Sequence, residues 1–341
     1  MARMIAQQIA RQGGKFERVE RDLPEPGEGH VRLRVHACGV CHSDQIAVEG
    51  QMPGIAYPLV PGHEVIGTIE EVGRGVSGFE VGTRVGVGWN PGFCGDCREC
   101  RRSNTFACEN IEDVTGVYRD GGYATHMLAR ETALARVPDE LDAVESAPLL
   151  CAGITTFNAL RNCGAGPGDL VAIFGVGGLG HLAVQYAARM GYRTVAINRG
   201  TQKRDLALEL GAHDYIDSEA GDAAQRLRDM GGADAILSTL TSAAAMERIV
   251  GGLGARGTMM IIGAVGPITV DPLSLIQKNG TVRGWYSGVA TESQECLEFS
   301  ALTDTMPMIE TYPLKRAQDA YDRMASGDAR FRVVLDCSEA G

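Results

Sequence analysis

The sequence predicts an α/β protein in which a mostly-β region opens the chain and a doubly wound parallel sheet follows it. Three observations carry this. Between about residues 169 and 285, short apolar runs alternate with amphipathic stretches of helical period. The first ~145 residues instead show period-2 alternation and recurring glycine turns. Glycine supplies 45 of 341 residues, about twice its ordinary share of roughly 7%, an excess that favours tight turns and glycine-rich ligand loops. With 44% hydrophobic residues and a length of 341, the chain can bury the cores of about two domains.

In chain order, Val31, Leu33 and Val35 alternate with Arg32 and Arg34, which predicts a strand, and Gly67, Gly73, Gly75, Gly78 and Gly82 punctuate the stretch after it. Six strands are expected next, at 171–174, 194–198, 214–216, 234–238, 258–262 and 281–285. Between the first two, Leu179, Leu182, Ala183, Tyr186, Ala187 and Met190 fall at helical spacing, and 243–250 repeats a helical pattern later. Strands alternating with helices in this way form βαβ units on a sheet covered on both faces. The last ~55 residues offer one helix, 314–325, and one strand, 331–335, too little to bury a core of their own. They are expected to return to the first region. The expected division is therefore 1–152 and 287–341 for the first domain and 153–286 for the second.

Charge narrows the function. With 32 Lys and Arg against 43 Asp and Glu, the net charge of -11 argues against a polyanion-binding surface, and nucleic acid is not an expected partner. Residues 170–188 carry no Asp, Glu, Lys or Arg, but four glycines, His181 and Gln185 within them speak against a membrane span. The first fourteen residues hold two arginines and no signal-like apolar run, so the ten cysteines are expected to be reduced thiols used for metal binding or catalysis, in the cytoplasm.

Four of those thiols stand close together. Cys94, Cys97, Cys100 and Cys108 follow a C-x2-C-x2-C-x7-C pattern in a loop crowded with Gly, Pro and Asp. Four thiolates on one short loop close a tetrahedron around zinc with no open position, as a structural site requires. An iron–sulfur cluster also uses four thiolates, but its familiar spacings differ.

The hexapeptide Gly175-Val176-Gly177-Gly178-Leu179-Gly180 follows the expected strand at 171–174 and opens the amphipathic helix. In that context G-x-G-x-x-G predicts a dinucleotide site: Gly175 for the tight turn, Gly177 for approach of the pyrophosphate, Gly180 for close helix–strand packing. The helix N-terminus adds partial positive charge. At the end of the second strand, where an NAD site offers a carboxylate to the ribose, this chain has Asn198, then Arg199, with Lys203 and Arg204 close behind. An amide and a guanidinium accept a 2′-phosphate that a carboxylate would repel, so NADP(H) is favoured over NAD(H) unless these charges are simply solvated.

A third constellation is dispersed: Cys41-His42-Ser43-Asp44, Gly62-His63-Glu64, and Cys151. Singly, each is as readily a packed side chain. Together, two thiolates and an imidazole leave a fourth position for water or substrate, the arrangement of a catalytic zinc.

Taken as a set, Gly39-Val40-Cys41-His42-Ser43-Asp44, Pro61-Gly62-His63-Glu64, the four-cysteine loop, Cys151-Ala152-Gly153, the glycine loop and Phe331-Arg332-Val333-Val334 resemble the zinc-dependent medium-chain alcohol dehydrogenases. The likeness is nearest to cinnamyl-alcohol-dehydrogenase-like and bacterial members and covers the whole chain. It implies a mostly-β GroES-like catalytic domain made from both chain ends, a Rossmann domain between them, and an active site in the cleft. It further implies that Cys41, His63 and Cys151 hold a catalytic zinc, with Glu64 as an alternating ligand and Asp44 orienting His63. On the same basis Ser43 receives the alcohol proton, His42, Leu179, Gly178 and Arg332 lie along the cofactor, Thr155 lies against the nicotinamide, and Trp89 walls the substrate pocket. One departure stands out: many relatives place a histidine five residues after the first zinc cysteine, where this chain has Ile46, and an alkyl group cannot relay a proton.

The expected activity is interconversion of a primary alcohol and its aldehyde, with two zinc ions per chain, a small-molecule substrate and a homodimer or homotetramer as the assembly. A polyol dehydrogenase of the same superfamily is the nearest rival, but its members usually place a glutamate where this chain has Cys151. A zinc-loop binding module without catalysis is the remote one, and the intact cofactor loop weighs against it.

Overall fold

The computed structural model describes residues 2–111, 113–263 and 266–338. The chain divides into two compact units, Met1–Cys151 with Gly288–Gly341, and Ala152–Ser287. In chain order the first unit contributes β1 (Arg3–Ile9), β2 (Phe16–Asp22), β3 (His30–Val40), β4 (Val65–Val72), β5 (Arg84–Val87), β6 (His126–Arg130) and β7 (Leu134–Arg136). The second contributes β8 (Leu170–Phe174), β9 (Arg193–Asn198), β10 (Asp214–Asp217), β11 (Ala233–Ser238), β12 (Leu253–Ile261) and β13 (Thr281–Gly284). The chain then returns to the first unit with β14 (Ile309–Pro313) and β15 (Arg332–Asp336).

In the first unit the order is β14-β15-β3-β4-β5-β7, with β6 also paired to β3, and β1 and β2 form a separate antiparallel hairpin. Val31, Leu33 and Val35 of β3 are buried with Val85, Val87, Val333 and Leu335 in one core. The pairing that matters most for the site is β15 against β3, where Val333 lies opposite Val40 and Leu335 opposite Cys38. It welds the C-terminal segment to the strand that leads into Cys41.

In the second unit six strands run parallel in the order β10-β9-β8-β11-β12-β13. This is the doubly wound Rossmann order, whose strand sequence reverses between β8 and β11, so that ligands are received beyond the carboxyl end of β8. All five residues of β8 are buried, which is why it reads as a continuous apolar run: a parallel strand is covered on both faces. The charge-free stretch 170–188 is this strand, the glycine loop and most of the helix Gly180–Arg189. Among the described residues no helix is long and apolar enough to cross a membrane.

Differences from the sequence expectation have physical causes. The helix Ala290–Thr303 was not expected: its buried face is Ser293, Cys296, Leu297 and Ser300, too polar to register as an apolar stripe. Likewise β14 is a parallel edge strand without a buried–exposed alternation. β12 begins at Leu253, before the expected 258, because its first half passes through Gly254 and Gly257 with Arg256 at φ 60°. The expected helix 314–325 opens with a 3-10 turn, Leu314–Arg316, before Ala317–Ala325.

Candidate active site

In the first unit β3 ends at Val40, and the chain turns through Cys41 into the short helix Asp44–Glu49. The Asp44 carboxylate, 1% exposed, is the hub. Its Oδ2 accepts the Cys41 backbone N–H at 2.8 Å and the Tyr123 hydroxyl at 2.8 Å, while Oδ1 lies 2.9 Å from His63 Nδ1. A carboxylate only accepts, so Nδ1 carries a proton toward Asp44, and Nε2 is the ring nitrogen left to face a metal. That atom is buried and has no hydrogen-bond partner. Burial opposes protonation of His63, but the charge and hydrogen bond of Asp44 override it and raise the imidazole well above its ordinary value.

Around Nε2 stand the other donors. Ligand atoms of Cys41, His63, Glu64 and Cys151 all lie within 4.8 Å of one another. Cys41 Sγ and Cys151 Sγ are 3.8 Å apart, and a tetrahedron built on ~2.3 Å zinc–sulfur bonds has sulfur–sulfur edges of about 3.8 Å. The hydrogen bond from Cys151 lowers the Cys41 thiol well below its usual range despite burial, and the same bond raises Cys151. Metal binding requires both as thiolates. The donor set fits zinc.

Glu64 is fully buried and pairs with the Arg332 guanidinium, itself 4% exposed. Burial pushes the Glu64 carboxyl up to about 8, with Arg332 the chief opposing charge. Its second oxygen, Oε2, has no partner. Gly39 makes room for it, since a Cβ at that position would run into the Glu64 carboxylate. This pairing of Arg332 was not foreseen from sequence.

Of the other expected residues, Trp89 stands edge-on to His63, with ring centroids 5.0 Å apart at 89°. Ser43 sits at the start of the helix with no side-chain capping bond, half-buried, and His42 is exposed.

The four-cysteine loop brings the sulfurs of Cys94, Cys97, Cys100 and Cys108 within 4.8 Å of one another, with Cys94 and Cys100 4.0 Å apart. Backbone N–H groups point at them: Asp96 and Cys97 donate to Cys94 Sγ at 3.4 and 3.3 Å, and Cys100 donates to Cys97 Sγ at 3.4 Å. Those donors lower the Cys94 thiol to about 6. This set also fits zinc, with no carboxylate or open position among the four.

In the second unit Gly175 follows β8 at φ 98°, and a Cβ on Gly180 would run into the Gly175 carbonyl, whereas Gly177 faces open space. Leu179 is the N-cap position of the helix that Gly180 opens, and Gly178 is half-buried before it. Asn198 Oδ1 accepts the Val176 N–H at 3.2 Å, and Lys203 Nζ donates to the Val176 carbonyl at 2.6 Å. Both side chains therefore brace the glycine loop, a role their positions in sequence did not suggest. Arg199 is exposed. Thr155 donates its hydroxyl to Ser287 Oγ at 2.9 Å.

Comparison with known proteins shows the family. Residues 27–139 match the model of the alcohol dehydrogenase GroES-like domain, and residues 178–302 that of the zinc-binding dehydrogenase. The alcohol dehydrogenase patD of Penicillium expansum is 42% identical over 323 residues, 95% of this chain and 94% of that protein. Among solved structures, a cobalt- and zinc-bound thermostable alcohol dehydrogenase from Pyrobaculum aerophilum is 26% identical with a TM-score of 0.87, covering 98% of this chain and 100% of that one. A CAD from Helicobacter pylori complexed with NADP(H) is 27% identical with a TM-score of 0.87, covering 100% and 99%. The chain belongs to the zinc-dependent medium-chain alcohol dehydrogenase family and is an oxidoreductase.

Proposed function

We propose that the protein interconverts a primary alcohol and its aldehyde, using one zinc held by Cys41, His63 and Cys151, a second held by Cys94, Cys97, Cys100 and Cys108, and NADP(H) in preference to NAD(H). The observation that carries this is the convergence of two thiols and a buried imidazole whose Nε2 has no other partner. When bound there, zinc supplies Lewis acidity to the alcohol or carbonyl oxygen, and the nicotinamide takes or gives the hydride.

The chain's own residues do the rest. Asp44 holds the His63 ring with Nδ1 protonated, which fixes Nε2 as the donor atom. Glu64, kept beside the thiols by Arg332, is the alternating ligand. Ser43 Oγ would accept the alcohol proton while its own hydroxyl proton passes to solvent, since the Ile46 side chain cannot relay it. The Trp89 ring is an apolar wall that holds water away from His63. The N–H groups of Gly177, Gly178 and Leu179 would receive the pyrophosphate at the helix N-terminus, and His42 and Arg332 are assigned as further cofactor-binding residues. Thr155 is assigned to the nicotinamide. Asn198 leaves the ribose site without a carboxylate, Arg199 pairs with the 2′-phosphate, and Lys203 holds the loop from behind. The substrate is a small molecule, the assembly a homodimer or homotetramer with β13 as a free sheet edge, and the compartment the cytoplasm.

Metal analysis of freshly purified protein, together with kcat/KM for an aldehyde panel measured with NADPH and NADH, tests the reading. Two zinc ions per chain and a higher kcat/KM with NADPH are expected. A single zinc overturns the two-site assignment, and parity or preference for NADH overturns the cofactor assignment.

A further inference from the structure

Tyr123 is fully buried, yet it keeps a hydroxyl that a space-filling role does not need. That hydroxyl donates to Asp44 Oδ2 at 2.8 Å, the oxygen that also accepts the Cys41 N–H. The other Asp44 oxygen faces His63. With donors on both oxygens the carboxylate has one orientation, and a buried carboxylate that loses a donor loses both that orientation and part of its solvation.

The ring acts on the same segment. A Cβ at Gly62, the residue before His63, would run into the Tyr123 ring and Cys38 Sγ. Gly62 itself is at φ 105°. The main chain locks the two stretches together, because Tyr123 N donates to Pro61 O at 3.0 Å and Gly122 N to Gly62 O at 3.0 Å. Gly121 permits that approach, since a Cβ there would run into the Gly62 carbonyl. Phe16 packs on the ring with centroids 5.5 Å apart.

We propose that Tyr123 is a positioning residue for the Cys41–His63 pair, acting through Asp44 with its hydroxyl. The proposal rests on the metal site assigned above. Partners one step removed from a metal ligand are worth roughly tenfold to a hundredfold in affinity or activity, and Tyr123 reaches the ligands through such a partner.

The test uses three holoenzymes: wild type, Tyr123→Phe, which keeps the ring and loses the hydroxyl, and Phe16→Leu, which disturbs the ring's packing and keeps the hydroxyl. Zinc release to a chromophoric chelator, the visible spectrum of the cobalt-substituted protein, melting temperature, kcat and KM are read for each. In Tyr123→Phe one of the two zinc ions leaves about tenfold faster, the cobalt bands shift, and kcat falls about tenfold at constant KM. Phe16→Leu lowers the melting temperature and leaves release and spectrum at wild-type values. Wild-type release and spectrum in Tyr123→Phe overturn the proposal, as does faster loss of both zinc ions together with a lower melting temperature, the mark of a packing defect. A wild type without zinc at Cys41, His63 and Cys151 overturns instead the assignment of the site.

Discussion

The two cysteine-bearing clusters of the first unit reach similar geometry by opposite routes. In the loop, four sulfurs are gathered from 15 consecutive residues, 94 to 108, and the groups that stabilise their thiolates are backbone N–H groups from the same turn. In the other cluster, Cys41 comes from the end of β3, His63 and Glu64 from the approach to β4, and Cys151 from the end of a 3-10 turn 110 residues on. The loop cluster depends on spacing; the dispersed one depends on sheet register. A local cluster can therefore stabilise its own loop while doing no chemistry, and a dispersed cluster inherits its precision from the sheet and can keep a coordination position open.

That contrast is broken most directly at Cys151. Cys151→Ser is expected to lower kcat/KM about a thousandfold or more, the loss of several kcal/mol of Lewis-acid stabilisation, with far-UV circular dichroism and melting temperature close to wild type. A variant that keeps its turnover, or that unfolds, would place Cys151 with the structural cluster instead.

The cofactor loop is an intermediate case, since its glycines are contiguous but Asn198 and Lys203 reach it through the β8–β9 pairing. The double change Asn198→Asp with Arg199→Ile is expected to shift the NADPH-over-NADH ratio of kcat/KM by roughly tenfold to a hundredfold toward NADH, because charge-assisted bonds of this type contribute about 1.5–3 kcal/mol. An unchanged ratio would leave those residues as braces of the glycine loop only.

Cys108→Ser sharpens the comparison from the other side. Removing one of four local ligands should lower the melting temperature by about 5–10 °C while kcat/KM stays within a few-fold of wild type at temperatures where the protein is folded. Loss of activity at unchanged stability would contradict the division of labour.

The smallest effect lies in the returning segment. Glu310 on β14 accepts two bonds from Arg323, at 2.8 and 3.0 Å, and one from the Arg330 backbone at 3.0 Å, and Arg323 chiefly holds its carboxyl below the usual range. A depressed folded-state pKa means that its stabilisation is present above the ordinary carboxylate value and is lost as pH falls through the folded one. Glu310→Gln should therefore lower the melting temperature by only about a degree or two at neutral pH, since the pair is partly exposed. The difference from wild type should vanish on acidification; a difference that grows would reverse the sign.

Legibility in the sequence follows the same divide. The central parallel strands could be read because they are buried apolar runs, β8 along its whole length, whereas β10 and β13 at the sheet edges are only partly buried; the loop cysteines could be read because their spacing already confines the sulfurs. The helix Ala290–Thr303 could not, since Ser293 and Ser300 occupy its buried face. The dispersed cluster was readable only as three separate fragments and through a family resemblance. Arg332 on Glu64 and Tyr123 on Asp44 were not readable at all, because neither pair has any periodicity or spacing in common.

The sequence by itself determined the order of the parallel strands and the local turns that hold the glycine loop and the four-cysteine loop. The tertiary structure alone decided which distant groups meet: Cys41 with Cys151 across 110 residues, Tyr123 with Asp44 across 79, and Arg332 with Glu64 across 268. Local geometry is set by dihedral preferences and side-chain period, which each residue carries with it. Long-range juxtaposition is set by strand register, here β15 against β3 and β3 against β4, and register is a property of the packed sheet that no single stretch of residues contains.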